Sequence, residues 1–146
     1  MFALLLVVGL TAGCGASGSR SAPRTGLRIY DPAGLVKAQV TSPDVVRSSV
    51  LAETEPGGTA VVFLALWPRG NERFLRLTRA LAHRGLRVHR IEPFAFEVNG
   101  HVYARPGVDY RDFPDGYSAD TGTDIHGVPR DAAKDIVAQL REGAVR

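Results

Sequence analysis

Asn99-Gly100, placed between two runs of alternating residues, constrains the fold of this chain more than any other feature. The runs span residues 94–98 and 101–104. Asn-Gly is strongly preferred in two-residue hairpin turns, because both central residues of such a turn need a positive φ. The segment therefore predicts an antiparallel hairpin, and the rest of the domain has to be built around it.

A buried strand and a long helix are predicted before the hairpin. Residues 59–66 are apolar throughout, which is typical of a strand covered on both faces. Trp67-Pro68 ends this strand, and Pro68 suits the first position of a helix over residues 68–84. Gly85 follows as the predicted left-handed cap of that helix.

Three further segments complete the pattern. Residues 86–91 alternate and predict a half-buried strand, whereas 105–127 holds few aliphatic residues and predicts a long loop. An amphipathic stripe predicts a last helix over 129–142. Upstream, Leu27–Tyr30 is predicted to be an edge strand. The order β–α–β–β–α predicts a single α+β domain over 27–146, with a small, mostly antiparallel sheet and two helices packed on one face.

The N-terminus predicts export and lipid anchoring. Residues 1–13 are mainly apolar and close on Ala12-Gly13, directly before Cys14, which is the chain's single cysteine. This pattern predicts a lipoprotein signal peptide over 1–13 and lipidation of Cys14, although no Lys or Arg stands at its start. The alternative is an apolar core element with a buried thiol. Residues 14–26 are rich in Gly, Ser and Ala and predict a flexible tether, which would hold the domain on the extracytoplasmic face of the cell membrane.

Composition excludes several classes of function. The formal net charge is +3 and comes from scattered Arg residues, with no basic run interleaved with aromatics, so a nucleic-acid partner is not expected. One cysteine allows neither an internal disulfide nor a cysteine-based metal cluster. No serine or cysteine nucleophile lies in a recognisable catalytic frame. We therefore expect a protein that is not an enzyme and carries no cofactor.

An acidic segment leaves three interpretations open. Five aspartates crowd into the loop together with His126. One interpretation is a site for a metal ion or small ligand over residues 107–127, with Asp120, Asp124 and His126 as candidate metal ligands. The spacing does not fit an EF-hand, and one histidine makes a poor zinc site, so a solvated acidic surface is the other interpretation. A small hydrolase using Asp124 and His126 is a third hypothesis.

Two aromatic residues are candidates for contact with a partner. Trp67 and Tyr103 are less easily placed in the core than the phenylalanines, and Arg105 follows Tyr103 closely. Together they predict a surface that contacts unfolded polypeptide. Partial burial against the helix is the alternative for Trp67. Strand addition would need an open sheet edge, for which the hairpin 94–104 and the strand near Tyr30 are the candidates.

Four segments carry a resemblance to a known family. The pattern Pro68-x-Gly70-x-x-x-Phe74-x-x-x-Thr78 is similar to a helix start in the first periplasmic head subdomain of SecD and SecDF protein-export subunits. Residues 96–106 resemble the hairpin of that subdomain, 133–144 its closing helix, and 41–50 its lead-in. The resemblance covers about residues 35–146, in the same order and at similar spacing.

The resemblance implies a head-like domain that handles extended polypeptide. Trp67 departs from the family, which usually has a helix-capping residue there, and Arg105 replaces a small residue. The segment 107–127 is also longer and more acidic than the family pattern implies. The family's transmembrane helices are not found in this sequence, so its proton-coupled activity is not implied. The predicted function is therefore a lipid-anchored module for unfolded polypeptide or a secretion or envelope partner, and the resemblance implies a role accessory to export.

Overall fold

The computed structural model describes residues 26–120 and 122–142. The predicted signal peptide, Cys14 and all of the predicted tether except Gly26 lie outside the described residues. The elements are, in chain order, β1 (Leu27–Tyr30), β2 (Val40–Thr41), two 3₁₀ turns (Ser42–Asp44 and Arg47–Ser49), β3 (Leu51–Thr54), β4 (Thr59–Leu64), α1 (Pro68–Val88), β5 (Glu92–Pro93), β6 (Ala95–Val98), β7 (His101–Ala104), β8 (Gly107–Val108), β9 (Thr123–Pro129) and α2 (Arg130–Glu142).

The strands form three antiparallel sheets in the described part of the chain. A four-stranded sheet has the order β2-β1-β6-β7, a three-stranded sheet has the order β3-β4-β9, and β5 pairs with β8. All strand pairs run antiparallel. The predicted α+β class is confirmed, while the strands are divided among more sheets than the sequence pattern indicated.

The predicted hairpin is present and has the expected turn. Asn99 and Gly100 have φ values of 51° and 81°, so both occupy the left-handed region that the turn requires. Strands β6 and β7 flank them, with Val98 opposite His101. The register shifts between Phe96 and Glu97, so that Tyr103 is the extra residue of a β-bulge.

The two helices pack against different strands around one core. Helix α1 lies against β2, β5 and β8, and buries Phe74, Leu77 and Leu81 completely. The ring of Phe74 meets that of Phe94 edge-on at 5.7 Å. Helix α2 lies against β3, β4 and β9 through an apolar stripe that includes Ile136. The buried residues of both parts form a single hydrophobic cluster.

Helix α1 extends past its predicted end. It continues to Val88, and His89, with φ 52°, takes the left-handed position that the sequence pattern assigned to Gly85. The predicted strand over 86–91 is therefore wrong. Its apolar residues Leu86, Val88 and Ile91 are about half exposed, so their alternation does not mark a buried face. Gly85 has a packing role instead: a Cβ there would lie 2.6 Å from the Arg90 carbonyl oxygen.

The segment predicted as a long loop contains two strands. Strand β8 pairs with β5, and β9 forms one side of the three-stranded sheet. The alternation of β9 is interrupted because a register shift against β4 and Gly127, with φ 78°, separate Ile125 from Val128. The prediction of an unbroken loop over 105–127 is therefore wrong at both ends.

A buried ion cluster joins the end of α1 to the segment after β1. The Arg84 guanidinium donates to Asp31 at 2.7 and 2.9 Å and to Glu92 at 2.6 Å. Burial raises the pKa of Asp31, but Arg84 and the backbone N–H groups of Ala33 and Val36 outweigh it and lower that pKa from 3.8 to about 2. The cluster fixes three separate segments to one another.

Candidate functional site

Trp67 is exposed beside a groove at the N-terminus of α1. It precedes Pro68, and 54% of the residue is exposed. Its side chain borders an open groove of about 520 Å³, which we call the Trp67 groove. The other lining residues come from the two 3₁₀ turns and their connection: Ser42, Pro43, Val45, Val46, Arg47 and Ser48.

The wall of the Trp67 groove is held in place by Asp44. The buried carboxylate of Asp44 accepts hydrogen bonds from the Thr41 backbone N–H at 2.9 Å and from Arg73 at 2.9 Å. The Asp44 carbonyl accepts the Trp67 N–H at 2.8 Å. Gly70 allows the close approach, because a Cβ there would lie 2.6 Å from the Asp44 Cβ. These hydrogen bonds hold the two walls of the groove together, so the groove is preformed.

Tyr103 and Arg105 lie on and just after β7. Tyr103 is half-buried, and its ring lies 4.4 Å from that of His101. Arg105 is exposed, and its positive charge acts to lower the pKa of Tyr30 on β1. The Tyr30 hydroxyl donates to Glu97 at 2.8 Å. Burial and this carboxylate raise the pKa of Tyr30.

The three candidate contact residues divide between two surfaces. Trp67 lines its groove with residues of the 3₁₀ turns, and no ring contact joins it to Tyr103 or to another aromatic residue within 26–120 and 122–142. Tyr103 belongs to the four-stranded sheet, and Arg105 follows its last strand. Of the two aromatic candidates, Trp67 is exposed and borders a groove, whereas Tyr103 is half-buried.

The candidate metal ligands have separate partners. Asp120 is hydrogen-bonded to Asn71 at the start of α1, and Asp124 stands opposite Phe63 in the β4–β9 pair. The His126 ring is 2.8 Å from the Glu55 carboxylate, and this hydrogen bond lowers the pKa of Glu55. Among the described residues, no group of three or more His, Cys, Asp or Glu side chains is placed to hold a metal ion.

The residues of the export-subunit motif have structural roles here. Pro68 starts α1, and Gly70 packs on Asp44 in the first 3₁₀ turn. Phe74 is buried and meets the ring of Tyr117 edge-on at 5.3 Å. The Thr78 hydroxyl donates to the Tyr117 carbonyl and accepts its N–H, at 3.0 and 3.1 Å. The motif residues therefore pack both the first 3₁₀ turn and the acidic segment, at Tyr117, against α1.

The free sheet edge differs from the one that the sequence indicated. Strand β1 lies between β2 and β6, so the strand near Tyr30 is not an edge. Strand β7 ends the four-stranded sheet but lies next to β9. Strand β3 ends the three-stranded sheet, and Leu51, Glu53 and Thr54 are exposed on it. Strand β3 is not predictable from the sequence, because its four residues show no clear apolar alternation.

The described chain is an α+β domain of antiparallel sheets, and two solved structures share this fold. The first is a crystal structure of SecDF in a super-membrane-facing form: TM-score 0.52, 22% identity, covering 72% of this chain and 12% of that chain. The second is a structure of SecDF, a membrane component that enhances protein export: TM-score 0.50, 23% identity, covering 72% of this chain and 41% of that chain. This chain thus spans less than half of either.

These similarities confirm the predicted resemblance to the SecDF head subdomain at the level of fold. No protein-family model matches the chain, and no curated protein matches it. In the part of the chain that the structure describes, no helix is long and apolar enough to cross a membrane.

Proposed function

We propose that this protein is a lipid-anchored, non-enzymatic envelope module that binds extended polypeptide and assists protein export. Two things support the proposal: the fold shared with SecDF, and an exposed tryptophan beside a preformed groove. The anchor at Cys14 rests on the sequence, where an apolar run closes on small residues before a single cysteine.

The exposure of Trp67 is the observation that carries the proposal. Trp67 is 54% exposed, so much of its apolar ring is in water and available to a ligand. Large aromatic residues contribute much of the binding energy at protein interfaces. The groove offers Pro43 and Val46 for apolar contact and Arg47 for a carbonyl or carboxylate. Shallow surfaces of this kind suit weak binding with little sequence preference. Unfolded chain exposes the apolar groups that such a surface needs, whereas folded protein hides them.

Trp67 is the single tryptophan of the chain, so its fluorescence reports on the groove directly. The full chain in detergent would be titrated with reduced, carboxymethylated α-lactalbumin in which the tryptophans have been oxidised, and with a native protein that contains no tryptophan as the folded control. We expect the unfolded probe to shift the Trp67 emission to shorter wavelength. Native protein should leave the emission unchanged, and an equal response to both would contradict selective binding of unfolded chain.

Alanine at Trp67 tests the same surface by affinity. We expect Trp67→Ala to weaken binding of a dye-labelled unfolded probe about fivefold or more, the loss of roughly 1 kcal/mol typical of an interface aromatic. Leu86→Ala is the matched control, because Leu86 is also 54% exposed but lies near the other end of α1. Tyr103→Ala, measured alongside, determines whether the β7 surface takes part. Unchanged affinity in Trp67→Ala would reject the Trp67 groove as the site.

A further inference from the structure

Strand β3 is an open sheet edge. It pairs with β4 on one side only, and its residues are largely exposed. Among the residues that the structure describes, no hydrogen bond reaches the outer side of its backbone between Leu51 and Thr54. Unpaired N–H and C=O groups along an exposed strand form a template for a further strand.

The register of β3 shows which backbone groups are free. The Glu55 N–H donates to the Thr59 carbonyl at 2.9 Å, which makes Glu55 and Thr59 a hydrogen-bonded pair. Such pairs alternate with non-bonded pairs along an antiparallel ladder, so Glu53 and Leu51 direct their backbone groups towards β4. Ala52 and Thr54 direct theirs outward. The edge therefore offers two residues, each with one donor and one acceptor.

The face beside this edge combines apolar surface with carboxylates. Leu51, Phe63 and Asp124 form one row across β3, β4 and β9. They line an open groove of about 310 Å³ together with Glu53. Leu51 is 41% exposed, although it is a large apolar residue.

The charged residues that line this groove are all acidic. Neither Glu53 nor Asp124 has an ion-pair partner within the described ranges, 26–120 and 122–142. The lining residues include no cation. A ligand that brings positive charge and an apolar group together would complement both features.

We propose that β3 binds an extended polypeptide segment as an added strand and selects segments that carry Lys or Arg two residues from an apolar residue. Alternate residues of an added strand face the same side, so an apolar side chain lies beside Leu51 while a cation two residues along lies beside Glu53. The negative charge of Asp124, two strands farther across the sheet, adds to the attraction. This inference rests on the proposed polypeptide-binding function and names its second contact and its sequence preference. A second copy of the chain is a poorer occupant, because pairing two β3 edges would gather the carboxylates of both copies without a cation.

Matched peptides test the preference for charge. Dye-labelled peptides of alternating Thr and Leu would carry either two Lys or two Glu residues, and their binding to the full chain in detergent would be measured by anisotropy. We expect the Lys peptide to bind at least tenfold tighter than the Glu peptide at low salt, with the difference shrinking as salt screens the charges. The double variant Glu53→Gln, Asp124→Asn should remove the preference. Equal binding of both peptides to the unaltered protein would overturn the proposal.

Backbone methylation tests strand addition without altering the protein. A Lys peptide that is N-methylated at alternate residues keeps its charge and side chains but loses the donors that face β3. We expect at least a tenfold loss of affinity. Methylation on the opposite alternate set is the control and should have less effect. An unchanged affinity with both sets would overturn the proposal. It would also be overturned if the unaltered protein forms a dimer and the Ala52→Pro variant is a monomer, because β3 would then pair with a second copy.

The proposal and the function on which it rests fail differently. If β3 is not a binding edge, the Lys and Glu peptides will bind with equal affinity, while unfolded α-lactalbumin will still shift the Trp67 emission. If the protein does not bind extended polypeptide at all, neither the unfolded protein nor either peptide will bind.

Discussion

Arg84 is the charged residue on which the packing of buried carboxylates depends. Its side chain is 12% exposed, and its partners Asp31 and Glu92 are 0% and 3% exposed. Each carboxylate is stable as an anion at this depth because the guanidinium and several N–H groups surround it. A cluster of this kind is a specific junction of segments more than a source of net stability.

Removing Arg84 is predicted to destabilise the protein strongly. Arg84→Ala leaves two buried carboxylates without their common partner, and we expect a loss of about 3–5 kcal/mol in the free energy of unfolding, measured with urea at pH 7. Arg111→Ala is the control, because Arg111 pairs with Asp109 and is 65% exposed. It should cost less than about 1 kcal/mol. Equal effects of the two changes would show that the cluster is not desolvated as described.

Among the elements, α1 organises the proposed binding surface. One helix positions Trp67 directly before its first turn, packs Gly70 on the turn that carries Asp44, and fixes the acidic segment through Thr78. The Trp67 groove therefore depends on how closely the helix approaches residues 42–48. Small changes in that approach would alter the groove before they alter the core.

Gly70→Ala tests that approach. Alanine in place of glycine inside a helix usually stabilises it by roughly 1 kcal/mol. Here the added methyl would lie 2.6 Å from the Asp44 Cβ and 2.9 Å from its carbonyl oxygen. We expect a loss of about 1–3 kcal/mol in urea unfolding, together with weaker binding of unfolded probe.

Glu72→Ala on the exposed side of the same turn is the control for Gly70→Ala and should change stability by less than about 0.5 kcal/mol. A stabilised Gly70→Ala variant would show that the helix does not approach Asp44 as closely as described.

Local signals in the sequence predict the elements whose geometry they determine. Asn99-Gly100 gave the hairpin because the turn itself requires those φ values, and the stripe through Ile136 gave α2 because its period is helical. The end of α1 was not predictable in this way. A glycine near a helix end usually caps it, but Gly85 serves a contact with the Arg90 carbonyl, which only the folded chain reveals.

The candidate site was predicted only in part, for the same reason. The sequence singles out Trp67 as an aromatic residue in a capping position, and the structure shows that it is exposed. Its contact with polypeptide stays a prediction. Its groove could not be predicted, because residues 42–48 reach it through tertiary contacts. Strand β3 was missed since Leu51–Thr54 has neither apolar alternation nor a turn residue of its own. Its role as an edge depends on which strands pair elsewhere.

At the scale of the whole molecule, the two parts of the fold carry different surfaces. Helix α1 and its turns carry the Trp67 groove, and the three-stranded sheet carries the β3 edge. The core residues beneath both surfaces belong to one hydrophobic cluster, so a ligand long enough to contact both would bind to a single domain. Weak contacts at two places raise the affinity for long chains over short ones.

The location of the whole molecule is tested at Cys14. We expect the intact protein to fractionate with membranes and to show, by mass, loss of residues 1–13 and a lipid on the cysteine. Cys14→Ser should lack the lipid and leave the membrane fraction, because one hydroxyl cannot replace the thioether link. Mutation of an exposed serine elsewhere, such as Ser48→Ala, is the control. An intact protein found in the soluble fraction would make Cys14 an ordinary thiol.

Asn99, described above as a turn residue, also joins the two ends of the described chain. Its side chain accepts the Gly26 N–H at 2.7 Å and donates to Gln139 of α2 at 2.6 Å. The chain thus enters and leaves the domain at nearly the same point. A domain built this way can be inserted into an exposed loop of another protein without separating the two sides of that loop. The same architecture is therefore suited both to a position inside a longer chain and to one at the end of a leader.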